Sequence, residues 1–101
     1  MASMREQIDE ILVDCHDEEE QMMAWEVAFT DDVAVPFKAA LLDMPVEVLG
    51  FRVNNANAVQ CQVLRDQKQR WVSVEDLDEE SLPEDCRRVL KLYCAWVDGD
   101  Y

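Results

Sequence analysis

Apolar residues first recur at helical spacing. Ile8, Ile11, Leu12 and Cys15 share one face, with Glu6, Asp9, Glu10 and Asp14 between them, which predicts a helix over 4–15. Asp14-Cys15-His16-Asp17 reads as a break. Asp17 is a good N-cap, and Glu20 three residues later completes a capping-box pattern that opens a second helix over 18–30. Met22, Trp25, Phe29 and Val33 form its apolar stripe. Glu18-Glu19-Glu20 sits in its first turn, where carboxylates complement the helix dipole. Asp31-Asp32 closes it and breaks that rule, since two carboxylates beside a helix C-terminus repel its exposed carbonyls.

After Val33 the period shortens. Val35-Pro36-Phe37 is extended, because a residue before Pro avoids the α region. Phe37, Ala39 and Leu41 alternate as in a strand, and Asp43-Met44-Pro45 reads as a turn. A strand over 46–53 changes phase at Gly50, which predicts a bulge or bend. Asn54-Asn55-Ala56-Asn57 is a turn. Val59, Cys61 and Val63 alternate with Gln60 and Gln62; a polar turn over 65–69 leads into a returning strand over 71–74. Glu75 to Glu80 is an acidic loop or short 3₁₀ turn. Ser81-Leu82-Pro83-Glu84 reads as a capping box with Pro in the first turn, opening a last helix that runs to about 97. Asp98-Gly99-Asp100-Tyr101 ends it, with Gly99 near the C-cap. The expected fold is α+β: N-terminal helices packed on a small SH3-like bent antiparallel barrel, with a C-terminal helix. The expected organisation is a single domain over 1–101, divided into a helical part (1–33), SH3-like strands (34–78) and a C-terminal helix (81–97).

Charge changes the picture. Of the 101 residues, 23 are acidic and nine basic, for a net −14. Residues 1–49 hold 13 acids and two bases (Arg5, Lys38); residues 50–101 hold 10 acids and seven bases. Such self-repulsion calls for a cation or a basic partner surface. Direct nucleic-acid binding is disfavoured, since phosphate contacts need Lys and Arg. No apolar run is long enough for a membrane span. The N-terminus lacks the apolar core of a secretion signal, so a cytoplasmic location is expected.

Catalytic chemistry finds little support. His16 is the single histidine, and no nucleophile–base motif or Gly-rich phosphate loop occurs, so no catalytic residue is assigned and the chain is read as a non-enzyme. Cys15, Cys61, Cys86 and Cys94 lack paired zinc-ligand spacing and read as free, mostly buried thiols. Hard cations fit better. Ca²⁺ takes six to eight oxygens, several from carboxylates, and Asp14, Asp17, Glu18, Glu19, Asp31 and Asp32 supply such oxygens without any EF-hand loop.

A wider pattern carries a resemblance. Ile11, Val13, Asp14, Glu18-Glu19-Glu20-Gln21, Trp25, Asp31-Asp32, Pro36-Phe37, Ala39 and Val46-Glu47-Val48-Leu49-Gly50 occur in an order that resembles the cyanobacterial calcium-binding family typified by CcbP. The segment Arg70 to Leu77 is also similar, so the likeness spans roughly residues 8–97. The resemblance implies a Ca²⁺ binder outside the EF-hand class with an SH3-like portion. It implies Asp31 as the principal ligand, while Asp32 stands where the family often has Lys. The four-residue link Leu42–Pro45 is shorter than the family's.

The expectation is therefore a small acidic Ca²⁺ buffer or sensor. Asp31 leads, Asp32, Glu18 and Glu19 assist, and a second, weaker metal site uses Glu75, Asp76 and Asp78. The alternative is an acidic interaction module or DNA mimic that meets a basic protein surface. A third reading has the SH3-like portion hold a peptide against Trp71, Phe51 and Tyr93, though aromatics at those spacings are more often core.

Overall fold

The structure, a computed structural model, describes residues 3–99. Three α-helices, α1 (Met4–Ile11), α2 (Glu18–Asp32) and α3 (Glu84–Asp98), flank four strands: β1 (Phe37–Leu41), β2 (Met44–Val53), β3 (Val59–Arg65) and β4 (Lys68–Ser73). Two short 3₁₀ turns, Val74–Asp76 and Glu79–Ser81, join β4 to α3. The class is α+β, as expected.

Helix α1 is shorter than its periodicity predicted. It stops at Ile11, and the chain then turns through Asp14, whose φ is +63°. Ile8 anchors it alone as a fully buried residue. Helix α2 runs two residues past its expected end. Asp17 caps it by accepting from the Glu20 N–H at 2.8 Å, while the Glu20 carboxylate accepts from the His16 N–H at 2.8 Å. Met22, Trp25, Phe29 and Val33 are all buried, so the apolar stripe faces the core as read.

The strands form one antiparallel meander in the order β1-β2-β3-β4. Both tight hairpins place two residues at positive φ, Leu42-Asp43 and Asp66-Gln67, the backbone twist that two-residue hairpin loops require. Strand β2 therefore begins at Met44, where a turn was expected. The Gly50 phase change is a bulge: Val48 opposes Val63, yet Phe51 opposes Cys61 and Val53 opposes Val59. Opposed residues share a sheet face, so the extra residue puts Val46, Val48, Phe51 and Val53 all on the inner side. The expected barrel is open. Among the described residues β1 and β4 do not pair, and the return to β1 is a single bridge, Leu41–Leu77, reinforced by Asp78 N–H donating to the Ala40 carbonyl at 2.8 Å.

The core lies between the inner sheet face and α2 and α3. The Phe29 and Phe51 rings sit 5.0 Å apart, and Trp25 meets Tyr93 edge-on at 5.5 Å. The Tyr93 hydroxyl accepts from the Val59 N–H at 3.1 Å, pinning α3 to the start of β3. Cys61 and Cys86 are buried free thiols, and burial pushes each up to about 12. They stay protonated, which suits packing and not metal ligation.

The capping box at Ser81 does not form. Pro83 is the N-cap of α3 and makes no side-chain cap bond. The Ser81 hydroxyl instead accepts from the Ala40 N–H at 2.8 Å and donates to the Asp78 carbonyl at 2.6 Å. A strand contact 41 residues away has taken the group the local pattern assigned to the helix. Gly99 caps α3 with φ +70°, its N–H bonding the Ala95 and Trp96 carbonyls. Asp100 and Tyr101 lie outside the described residues.

Candidate metal site at the end of the second helix

Two of the expected ligand pairs belong to opposite ends of one continuous helix. Glu18 and Asp31 are 13 residues apart in sequence, about 20 Å along the axis at 1.5 Å per residue. A single ion cannot touch both.

At the N-terminal end, Asp17 and Glu20 are spent on capping bonds. Glu18 accepts from the Asn57 side-chain amide at 3.3 Å. Glu19 is exposed beside them, along a shallow surface with Asn54, Asn55 and Asn57. The helix dipole presents its positive end here, which favours these carboxylates and opposes a cation.

The C-terminal end is the reverse. Asp31 and Asp32 are exposed, and the last turn carries no basic residue. The C-caps of α1 and α3, Leu12 and Gly99, each return an N–H to a helix carbonyl, whereas Val33 of α2 makes no such bond. Carboxylates and uncapped helix carbonyls thus both lie at the negative end of the dipole. All are hard oxygen donors of the kind Ca²⁺ takes.

Packing brings other charges to this end. A cleft of ≈ 830 Å³ between α1, α2 and α3 is lined by Glu10, Asp31, Asp32 and Glu84, together with Arg88 and several apolar residues. Arg88 Nη2 lies 3.5 Å from Asp32 Oδ2, both half exposed. The Asp85 carboxylate accepts from the Ala34 N–H at 3.2 Å and ties the start of α3 to the chain just beyond α2. Among the described residues no three His, Cys, Asp or Glu side chains already form a metal-holding group. The residues fit a hard cation in donor chemistry. Sequence reasoning missed Glu10 and Glu84 because only packing joins them to Asp31. Glu10 sits among the polar positions of α1, and Glu84 reads as the capping-box member that opens α3.

The second expected set is divided. Glu75 lies with its carboxylate 3.8 Å from the Cys94 thiol on α3. Asp78 accepts from the Asp43 N–H at 3.0 Å and so braces the β1–β2 turn. Asp76 is exposed on the first 3₁₀ turn. Near Asp78 the basic side chains Arg87 and Lys91 also intrude, with Lys91 3.5 Å from Glu79.

No described helix is long and apolar enough to cross a membrane. No curated protein matches the chain. Among solved structures, the crystal structure of Anabaena CcbP superposes with a TM-score of 0.80 at 21% identity, covering 96% of this chain and 95% of that one. A calcium-binding protein in its calcium-binding form superposes with a TM-score of 0.77, also at 21% identity, covering 100% of this chain and 98% of that one. These likenesses fix the fold. The sequence profile of the CcbP family, described as calcium binding, matches residues 6–97. With nearly the whole chain inside that match, the protein belongs to the CcbP family of calcium-binding proteins.

Proposed function

We propose that the chain is a single-domain Ca²⁺ sensor of modest affinity whose ion sits at the C-terminal end of α2. Asp31 is the principal ligand and Asp32 the second, with carbonyls of the last helical turn beside them. Glu10 and Glu84 add charge from α1 and α3. Glu18 and Glu19 belong to a capped helix start and contribute little, and Glu75, Asp76 and Asp78 do not act as a unit. The observation that carries this reading is the α2 C-terminus, which ends in two carboxylates and lacks a capping N–H.

The sensor reading, over a passive buffer, rests on the cleft. It joins three helices, and α1 holds to the rest through Ile8 as its one buried side chain. A cation there reduces repulsion among carboxylates on separate elements and draws them together. Two carboxylates in an open site set the dissociation constant on the order of 10⁻⁴ M.

Thermal melts at matched ionic strength test it. A free Ca²⁺ a hundredfold above Kd stabilises by about 2.7 kcal/mol, or roughly 10–20 °C for a domain of this size. Mg²⁺, smaller and reluctant to dehydrate, raises the midpoint less. Equal shifts with Ca²⁺, Mg²⁺ and extra Na⁺ would reject the proposal. The acidic interaction reading draws on exposed Glu6, Asp9, Glu10, Glu18 and Glu19, all on the helical side. Salt-sensitive, chelator-indifferent capture by a basic protein would favour it.

A further inference from the structure

The inner face of the sheet is longer than the helical layer that covers it. Near the bulge it is sealed by Phe29 and Tyr93. At the other end, where β1 turns into β2 and β3 into β4, it continues as an open trough of ≈ 390 Å³. Leu41, Met44, Val46, Val63 and Val72 form the apolar floor. Leu42 at the rim is 79% exposed. The pairing Val63–Arg70 and Arg65–Lys68 places three cations on this same face.

That rim is unusual for the chain. Arg65, Lys68 and Arg70 stand against one lining carboxylate, Asp66, so the trough is net positive in a protein of net −14. Asp66 pairs with Arg65 at 3.7 Å. Among the described residues Lys68 and Arg70 have no ion-pair partner. Asp43, between the lining residues Leu42 and Met44, lines the neighbouring surface with Asp78 and the cations Arg87 and Lys91, and exposed acids beyond about 8 Å are screened at physiological ionic strength. Strand β4, which carries Lys68 and Arg70, is also a sheet edge. Its outward N–H and C=O groups are a template for one more strand.

We propose that this trough docks an extended acidic peptide of a protein partner, with apolar side chains on the floor, carboxylates on Lys68 and Arg70, and backbone bonds along β4. Nucleic acid fits poorly, since three cations around an apolar floor offer few phosphate contacts. The aromatics Trp71, Phe51 and Tyr93, weighed in the sequence as a groove or as core, are not the place. Phe51 and Tyr93 pack in the core, and Trp71 lies under the Arg52 guanidinium, 4.1 Å from its centroid.

The proposal does not depend on the calcium site, so the test is run in chelator. A fluorescein-labelled peptide alternating Leu and Glu is titrated with the full chain and followed by polarisation, beside a peptide alternating Leu and Lys. The Glu peptide binds at micromolar levels and the Lys peptide at least about tenfold more weakly. Lys68→Glu with Arg70→Glu, both exposed and harmless to the core, reverses that preference, while Glu18→Gln leaves it unchanged. Equal binding of the two peptides, or binding of neither, overturns the proposal. So does concentration-dependent dimerisation lost in the same double variant, which would assign the trough to a second copy.

Discussion

Helix α2 carries acidic clusters at both ends, and the two mean different things. At its start, Asp17, Glu18, Glu19 and Glu20 meet free N–H groups and a positive dipole end, and the capping bonds are formed. At its finish, Asp31 and Asp32 sit at a negative dipole end beside an uncapped last turn. Charge of the same sign thus stabilises one end and strains the other. Counting carboxylates finds both clusters; only their place on the helix tells them apart.

The comparison breaks first at the N-cap. Asp17→Ala removes the acceptor of the Glu20 N–H and costs about 1 kcal/mol, a fall in melting midpoint of roughly 4–8 °C for a domain of this size. A midpoint that does not move would mean the cap bond contributes nothing, and the N-terminal acids would then need another explanation.

Arg88 sharpens the other end. Its guanidinium competes for Asp32 at 3.5 Å. An exposed pair of this kind is worth at most about 1 kcal/mol, so Arg88→Gln raises Ca²⁺ affinity roughly two- to fivefold. Weaker Ca²⁺ binding in Arg88→Gln, read by calorimetry, would place the ion elsewhere.

The smallest effect has an opposite sign to the first. In chelator, Asp31→Asn relieves repulsion with the helix end and stabilises by about 0.3–0.5 kcal/mol, a rise of roughly 1–4 °C. Neutralising an acid therefore lowers the midpoint at one end of α2 and raises it at the other. Destabilisation by Asp31→Asn without metal would contradict the strained-end reading.

Much of this was legible in the residue pattern, and the rest was not for identifiable reasons. The α2 stripe, the Asp17 cap, the Gly50 bulge and the Gly99 cap follow from local rules, and the structure keeps them. Ser81 departs because its hydroxyl finds better partners in β1 and at Asp78 than at the start of α3. Leu12 and Cys15 continue the apolar face of α1 in sequence, yet the helix stops at Ile11 and the chain turns through Asp14. Grouping Glu18 and Glu19 with Asp31 treated nearness in sequence as nearness in space, and a continuous helix separates them. Glu10 and Glu84 come to line the cleft beside Asp31 and Asp32 through the packing of α1 and α3, information that no local window holds.

The most direct measurement is a calorimetric titration of Ca²⁺ into chelator-stripped protein, with Asp31→Asn beside the double variant Glu18→Gln, Glu19→Gln. Removing a charged ligand weakens binding by about tenfold or more, so Asp31→Asn loses that much while the double variant stays within about twofold of the parent. A parent that gives no heat, or a double variant that loses affinity while Asp31→Asn keeps it, would contradict the assignment of the ion to the C-terminal end of α2.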